Sequence, residues 1–158
     1  MSPTLPEEDE LLDKVDIEEA LLRYCRGMDK VDEDTVRSCF WPEAIDDHIG
    51  FYSGRVHDLL ETMMGMRRRL SIATHALTNL LICVQGPNAD STAYVRGIYR
   101  YDFNGEDFEW TAGAIYTNNY EKREGTWKIS YHRADLQWST VSRVAQVDPH
   151  ETLFGGLI

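Results

Sequence analysis

The chain has 158 residues and carries 16 Lys and Arg against 27 Asp and Glu, a net charge of −11. That length suits one domain, spanning 1–158, with a real hydrophobic core, and a hydrophobic content of 42% argues against disorder. So acidic a chain is a poor partner for nucleic acid or an anionic membrane surface, and no run approaches the roughly 18–20 apolar residues of a membrane span. The three cysteines, Cys25, Cys39 and Cys83, are odd in number, far apart and without a CxxC pair. They read as reduced thiols of a cytoplasmic protein, and the acidic, proline-containing N-terminus has no apolar signal segment.

In chain order, residues 1–10 read as a solvated tail, with a helical start over 8–15. Ile17, Ala20, Leu21, Tyr24, Cys25 and Met28 recur at spacings of three and four, which predicts a helix with one apolar face. Asp16 suits the N-cap, and Glu18 and Glu19 suit the first turn. Two residues break the plain amphipathic pattern. Tyr24 puts a hydroxyl at the centre of the apolar face, and Asp29 puts a carboxylate at its edge. Each needs a partner if buried. After a turn at 30–32, a second helix is expected over 33–40, ended by Phe40-Trp41-Pro42. Residues 44–53 read as a strand or strand pair ending at Gly54, and 57–70 as a third helix. Its tail, Arg67-Arg68-Arg69, reads as a basic helix terminus rather than an anion site.

From residue 74 the period changes to that of strands. Strands are expected over 74–85, 91–103, 108–120 and 126–138, joined by turns at 86–90, Asn104-Gly105 and 121–125. Residues 139–158 form a C-terminal extension whose apolar end is expected to cover a cavity mouth or a neighbouring subunit. Helices followed by a meander of long antiparallel strands indicate an α+β fold with the helices on one face. A strongly curved sheet closed by about three N-terminal helices leaves a cavity suited to a small ligand.

Three stretches carry candidate chemistry. On a regular strand His75, Leu77 and Asn79 share one face and Ala76, Leu80, Ile82 and Val84 the other, so His75 and Asn79 form a polar patch. The run Asp46-Asp47-His48 offers metal-ligand residue types. No helical HExxH or compact ligand set accompanies it, so no metal is expected. His132 and Arg133 point to opposite faces of the last strand, so only one enters a cavity unless a bulge intervenes. There is no GxSxG, no glycine-rich phosphate loop and no cysteine in an activating context.

The order of these elements resembles the SnoaL-like branch of the NTF2-like superfamily. So does Tyr116-Thr117-Asn118-Asn119-Tyr120-Glu121-Lys122-Arg123-Glu124-Gly125-Thr126-Trp127. That stretch is similar to the Tyr-Thr-x-x-Tyr-Glu-x-x-x-Gly-x-Trp segment of bile-acid 7-alpha-dehydratase and of hexachlorocyclohexane dehydrochlorinase, with scytalone dehydratase a more distant relative. The resemblance implies a cone-shaped NTF2-like fold around a central cavity and, commonly, a homo-oligomer, a trimer or dimer. It implies that Asp29 orients and charges His75, that His75 moves the substrate proton, and that Tyr24 assists the leaving group or enolate. A fourth role falls to His132 or Arg133, the register between them being open. Asn79, Trp41, Tyr116, Trp110 and Met63 are the expected substrate contacts.

This chemistry is consistent with the residues themselves. A histidine with an ordinary pKa near ~6.5 accepts and returns a proton around neutrality, and a carboxylate on its second nitrogen fixes the tautomer. The expected function is therefore a cofactor-independent lyase, of dehydratase type, or an isomerase. Its expected substrate is a small hydrophobic molecule such as a steroid, polyketide or terpenoid. The alternatives are a non-catalytic ligand-binding or oligomerisation module, or the small subunit of a ring-hydroxylating dioxygenase.

Overall fold

The computed structural model describes residues 8–144. Helix α1 (Glu8–Lys30) buries Ile17, Leu21, Tyr24, Cys25 and Met28 along one face. Its first turn holds Glu8, Asp9 and Glu10 and its last Lys30, both favourable with the helix dipole. The helix therefore begins at the helical start expected from residue 8, which overlaps the end of the expected tail, and it runs through Asp16, which is not an N-cap. Asp13 fastens α1 to the sheet: its carboxylate accepts from Lys122 Nζ at 2.7 Å and from Trp127 Nε1 at 2.8 Å. These two hydrogen bonds hold its pKa below the ordinary carboxylate value. Helix α2 (Glu33–Ser38) is capped by Asp32, which accepts from the Thr35 backbone N–H at 3.1 Å. It packs so closely on α1 that a Cβ at Gly27 would lie 2.8 Å from Val36 Cγ2.

The chain then enters β1 (Phe40–His48), β2 (Tyr52–Arg55) and helix α3 (Val56–Arg67). Four long strands follow: β3 (Ile72–Gln85), β4 (Asn88–Phe103), β5 (Glu106–Arg123) and β6 (Thr126–Arg143). They form one six-stranded sheet in the order β2-β1-β6-β5-β4-β3. The sheet is curved, unclosed and mixed. All neighbours pair antiparallel except β1 and β6, which run parallel, a correction to the all-antiparallel expectation. Two hairpin turns take left-handed backbone at both central residues: Asn104-Gly105 at φ 57° and 81°, and Glu124-Gly125 at φ 51° and 79°.

Pro42 ends the helical region, as expected, but sits within a strand. The pairing of β1 with β2 covers only Ile45 to His48, and the β1–β6 register slips between Phe40 and Ile45. Pro42 thus lies where no ladder hydrogen bond is needed from it. Strand β6 runs on to Arg143, into the expected extension, paired with the start of β5. Residues 136–143 are exposed on both faces and so lack alternation. The remaining expected cover at 145–158 lies outside the described residues.

A polar row crosses the core behind the cavity wall. The Ser91 and Tyr120 hydroxyls meet at 2.9 Å, Asn118 Nδ2 donates to Ser91 Oγ at 3.1 Å, and His132 Nδ1 donates to Asn118 Oδ1 at 2.6 Å. Tyr24 and Tyr116 present edges to the His132 ring, at centroid distances of 4.9 and 4.6 Å. Burial drops the His132 pKa from 6.5 to about 4, against the opposing pull of Asp46. The folded protein therefore resists protonation that the unfolded chain accepts. This contribution to stability is complete above pH 6.5 and is lost as pH falls toward about 4. Urea unfolding across that window should show stability falling by about 1 kcal/mol per pH unit from this group, and His132→Gln should flatten the slope. An unchanged slope in the variant would show that His132 is not held neutral.

Candidate active site

The last turn of α1 delivers Asp29 to β3. Its Oδ2 accepts the His75 backbone N–H at 3.0 Å and its Oδ1 accepts Nδ1–H of the same residue at 2.6 Å. A carboxylate on Nδ1 fixes the tautomer and leaves Nε2 with its lone pair. The His75 side chain is only 2% exposed. Burial pulls its pKa below 6.5, against the hydrogen bond it donates to Asp29, and the Arg67 charge pulls it down further. The imidazole is therefore neutral near neutrality.

Nε2 of His75 accepts from the Tyr99 hydroxyl at 3.1 Å. Tyr99 was not among the residues singled out from the sequence. Its hydroxyl reaches His75 because β3 and β4 pair His75 with Gly97, and a Cβ at Gly97 would sit 2.2 Å from that oxygen. The register comes from a bulge between Thr78 and Leu81, where Asn79 takes φ 53°. The bulge changes the face that points inward. His75 and Leu77 before it, and Leu80, Ile82 and Val84 after it, all lie on the partly buried side. Asn79 is exposed and borders a separate shallow site with Tyr94, so the expected polar patch with His75 does not form.

A second pair stands on another wall. Asp46 Oδ1 accepts His48 Nδ1–H at 2.7 Å, and His48 Nε2 meets the Tyr52 hydroxyl at 3.3 Å. The site thus holds two Asp–His–Tyr rows, Asp29–His75–Tyr99 and Asp46–His48–Tyr52, and each histidine ring lies 6.5 Å from the ring of Tyr116. Asp47 points the other way and accepts from the Tyr131 hydroxyl at 3.3 Å. Asp46, His48 and His132 place one potential ligand atom each within 4.8 Å of one another, and Asp46 Oδ2 and His132 Nε2 have no hydrogen-bond partner among the described residues. A metal ion would find its donors here, with His132 in the place that sequence reading gave Asp47.

The cavity between α3 and the sheet has a volume of about 260 Å³. Met28, Met63, Trp110 and Tyr116 give it apolar walls, and His48, Tyr52, Tyr99 and Arg67 bring polar groups to it. Burial raises the pKa of the Tyr52, Tyr99 and Tyr116 hydroxyls, so they stay protonated donors. Arg67, read from sequence as part of a helix end, lines the cavity with its guanidinium 4.8 Å above the Tyr99 ring.

Three further expected site residues stand elsewhere. Tyr24 is buried between Phe40 and His132 and does not line the cavity. Trp41 donates to the Glu121 carbonyl at 3.0 Å and lies under Arg123 and Lys128, outside the cavity. Arg133 is exposed, while His132 takes the inward position. Met63, Trp110 and Tyr116 are on the wall.

Solved structures share this architecture. A protein from Kribbella flavida superposes with a TM-score of 0.75 at 18% identity, covering 83% of this chain and 95% of its own. A hexachlorocyclohexane dehydrochlorinase from Novosphingobium barchaimii LL02 gives 0.74 at 22% identity, over 88% and 94%. A candidate scytalone dehydratase from Novosphingobium aromaticivorans DSM 12444 gives 0.74 at 18%, over 89% and 94%. At these identities the likeness is one of fold. No curated protein matches the sequence. The family profile of the SnoaL-like domain matches residues 9–133, which takes in every helix, the Asp29–His75 pair and the sheet as far as β6, and the chain therefore belongs to the SnoaL-like domain family.

Proposed function

We propose that the protein is a cofactor-independent lyase or isomerase that moves a proton on a small hydrophobic molecule, with His75 as the base. The observation that carries this reading is the double hydrogen bond from His75 to Asp29, which leaves Nε2 unprotonated behind Tyr99, a residue of the apolar cavity's wall. Structural neighbours that are a dehydrochlorinase and a candidate scytalone dehydratase support it.

In this reading a substrate C–H replaces the Tyr99 hydroxyl at Nε2. The C–H electrons form the new double bond, and the proton goes to His75. Asp29 stabilises the imidazolium that results. Tyr99, released from Nε2, turns its O–H to a substrate oxygen where negative charge develops. In a dehydration the departing hydroxyl takes the proton that His75 has accepted and leaves as water, while a hydrogen bond from the Tyr52 hydroxyl steadies it. In an isomerisation the proton returns to a different carbon. Apolar walls exclude water and strengthen each of these electrostatic effects. The volume of about 260 Å³ lies just below the range of ligand pockets, about 300–1,000 Å³. That favours a compact body of one to three rings over a full steroid.

One observation favours a second reading, a non-catalytic binding module. The Tyr99 hydroxyl occupies His75 Nε2, and the imidazole itself is not on the cavity wall. The two readings separate by turnover. A screen of hydroxylated aromatic and terpenoid compounds should find one that loses water or shifts a double bond. His75→Gln, folded by circular dichroism, should then lose at least about 10²-fold in kcat. Full turnover in the folded variant would end the acid–base reading. The pH profile is a second check. Because His75 must be neutral and its pKa lies below 6.5, kcat/KM should be flat near neutrality and fall on an acid limb below that value. An acid limb above it would contradict a base held neutral by burial.

A further inference from the structure

The acid–base reading accounts for the histidines and leaves one charge in the cavity unexplained. Arg67, Arg68 and Arg69 end α3 together, yet they divide. Arg68 and Arg69 are exposed, as helix-terminal cations usually are, and Arg67 lines the cavity. Its guanidinium forms no ion pair with any described carboxylate. The two acids on the cavity histidines are committed elsewhere, Asp29 to His75 and Asp46 to His48. The contacts Arg67 makes are to neutral groups, chiefly the face and hydroxyl of Tyr99.

A guanidinium removed from water without a counter-charge costs free energy, and the cost is recovered when an anion supplies the missing hydrogen bonds. Its planar fork fits two oxygens on one carbon. In a chain with 27 acidic residues and a net charge of −11, an inward-facing arginine without a carboxylate is a place kept for one. The guanidinium lies 4.8 Å over the ring of Tyr99, whose hydroxyl is 3.1 Å from His75 Nε2. A carboxylate held by Arg67 is therefore separated from the base only by Tyr99.

We propose that Arg67 is an anion-binding residue and that the cavity takes a hydrophobic carboxylate, its apolar body against Met63 and Trp110. This rests on the cavity being the ligand site of the proposed enzyme, and it names the substrate class. The carboxylate oriented in this way presents its adjacent carbon to His75. The proton that His75 removes is then the one acidified by the group that Arg67 holds, and the guanidinium takes up the charge that moves onto the oxygens.

The test uses two probes with one apolar body, naphthoate and naphthalenemethanol, measured by titration calorimetry on the full chain. The unaltered protein should bind naphthoate at least about tenfold more tightly than the alcohol. Arg67→Met should remove that preference while leaving the affinity for the alcohol within about twofold, and Arg67→Gln, more polar at the same place, should do the same. Arg68→Gln, on an exposed neighbour, should change neither. His75→Gln should keep the preference, so loss of turnover without loss of carboxylate selectivity separates the acid–base reading from this one. Equal or undetectable binding of naphthoate by the unaltered protein overturns the proposal. So does a preference that survives in Arg67→Met or Arg67→Gln.

Discussion

Asp29 gives both carboxylate oxygens to one residue. One takes the His75 main-chain N–H and the other its imidazole N–H. The first bond fixes where the end of α1 meets β3, and the second fixes the rotation of the ring. An imidazole held by one nitrogen has only one direction in which to offer the other. That direction leads through Tyr99 to the cavity. The apolar face of α1, from Ile17 to Met28, supplies the packing that keeps Asp29 in place. Burial then keeps the ring neutral. The positioning of the pair and its protonation state have one source, the docking of a single helix on a single strand.

A one-residue bulge has nearly as much control over the site. Counted back from the Gly86-Pro87 turn, where Gln85 faces Asn88, an unbroken ladder would put His75 opposite Ile98. His75 would then be on the opposite side of the sheet from Tyr99. The slip at Asn79 puts His75 opposite Gly97 instead. His75 moves to the inner face beside Tyr99, which the unbroken alternation of β4 already places there, and the missing Cβ at Gly97 gives the Tyr99 hydroxyl room to reach Nε2. Asn79 tolerates the left-handed backbone better than most residues, so its value to the site is conformational rather than as a ligand contact.

These details explain what could be read from sequence. The helices, the long strands and the Asn104-Gly105 hairpin are local patterns, and they were legible. Asp29 and His75 lie 46 residues apart; only the family resemblance joined them. The Tyr99 contact was hidden because the bulge in β3 decides whether His75 shares its face. Arg67 was hidden because a basic last turn looks the same whether its side chains meet water or a cavity. Trp41 was expected in the cavity as a large aromatic, but two nearby cations and a carbonyl hold it outside. Asp46, His48 and His132 converge through the parallel pairing of β1 with β6, which a meander of antiparallel strands gives no reason to expect.

The cavity has a consistent electrostatic plan. Asp29 and Asp46 are each spent on a histidine, His75 and His48 are each turned toward a tyrosine hydroxyl, and the Arg67 guanidinium has no ion-pair partner among the described residues. The most direct test of the central claim needs no substrate. Long-range proton–nitrogen NMR of the His75 ring reads which nitrogen carries the proton and where the ring titrates. The account predicts a proton on Nδ1, an unprotonated Nε2 at neutral pH, and a single titration below 6.5. A proton on Nε2 at neutral pH, or a titration above that value, would contradict it.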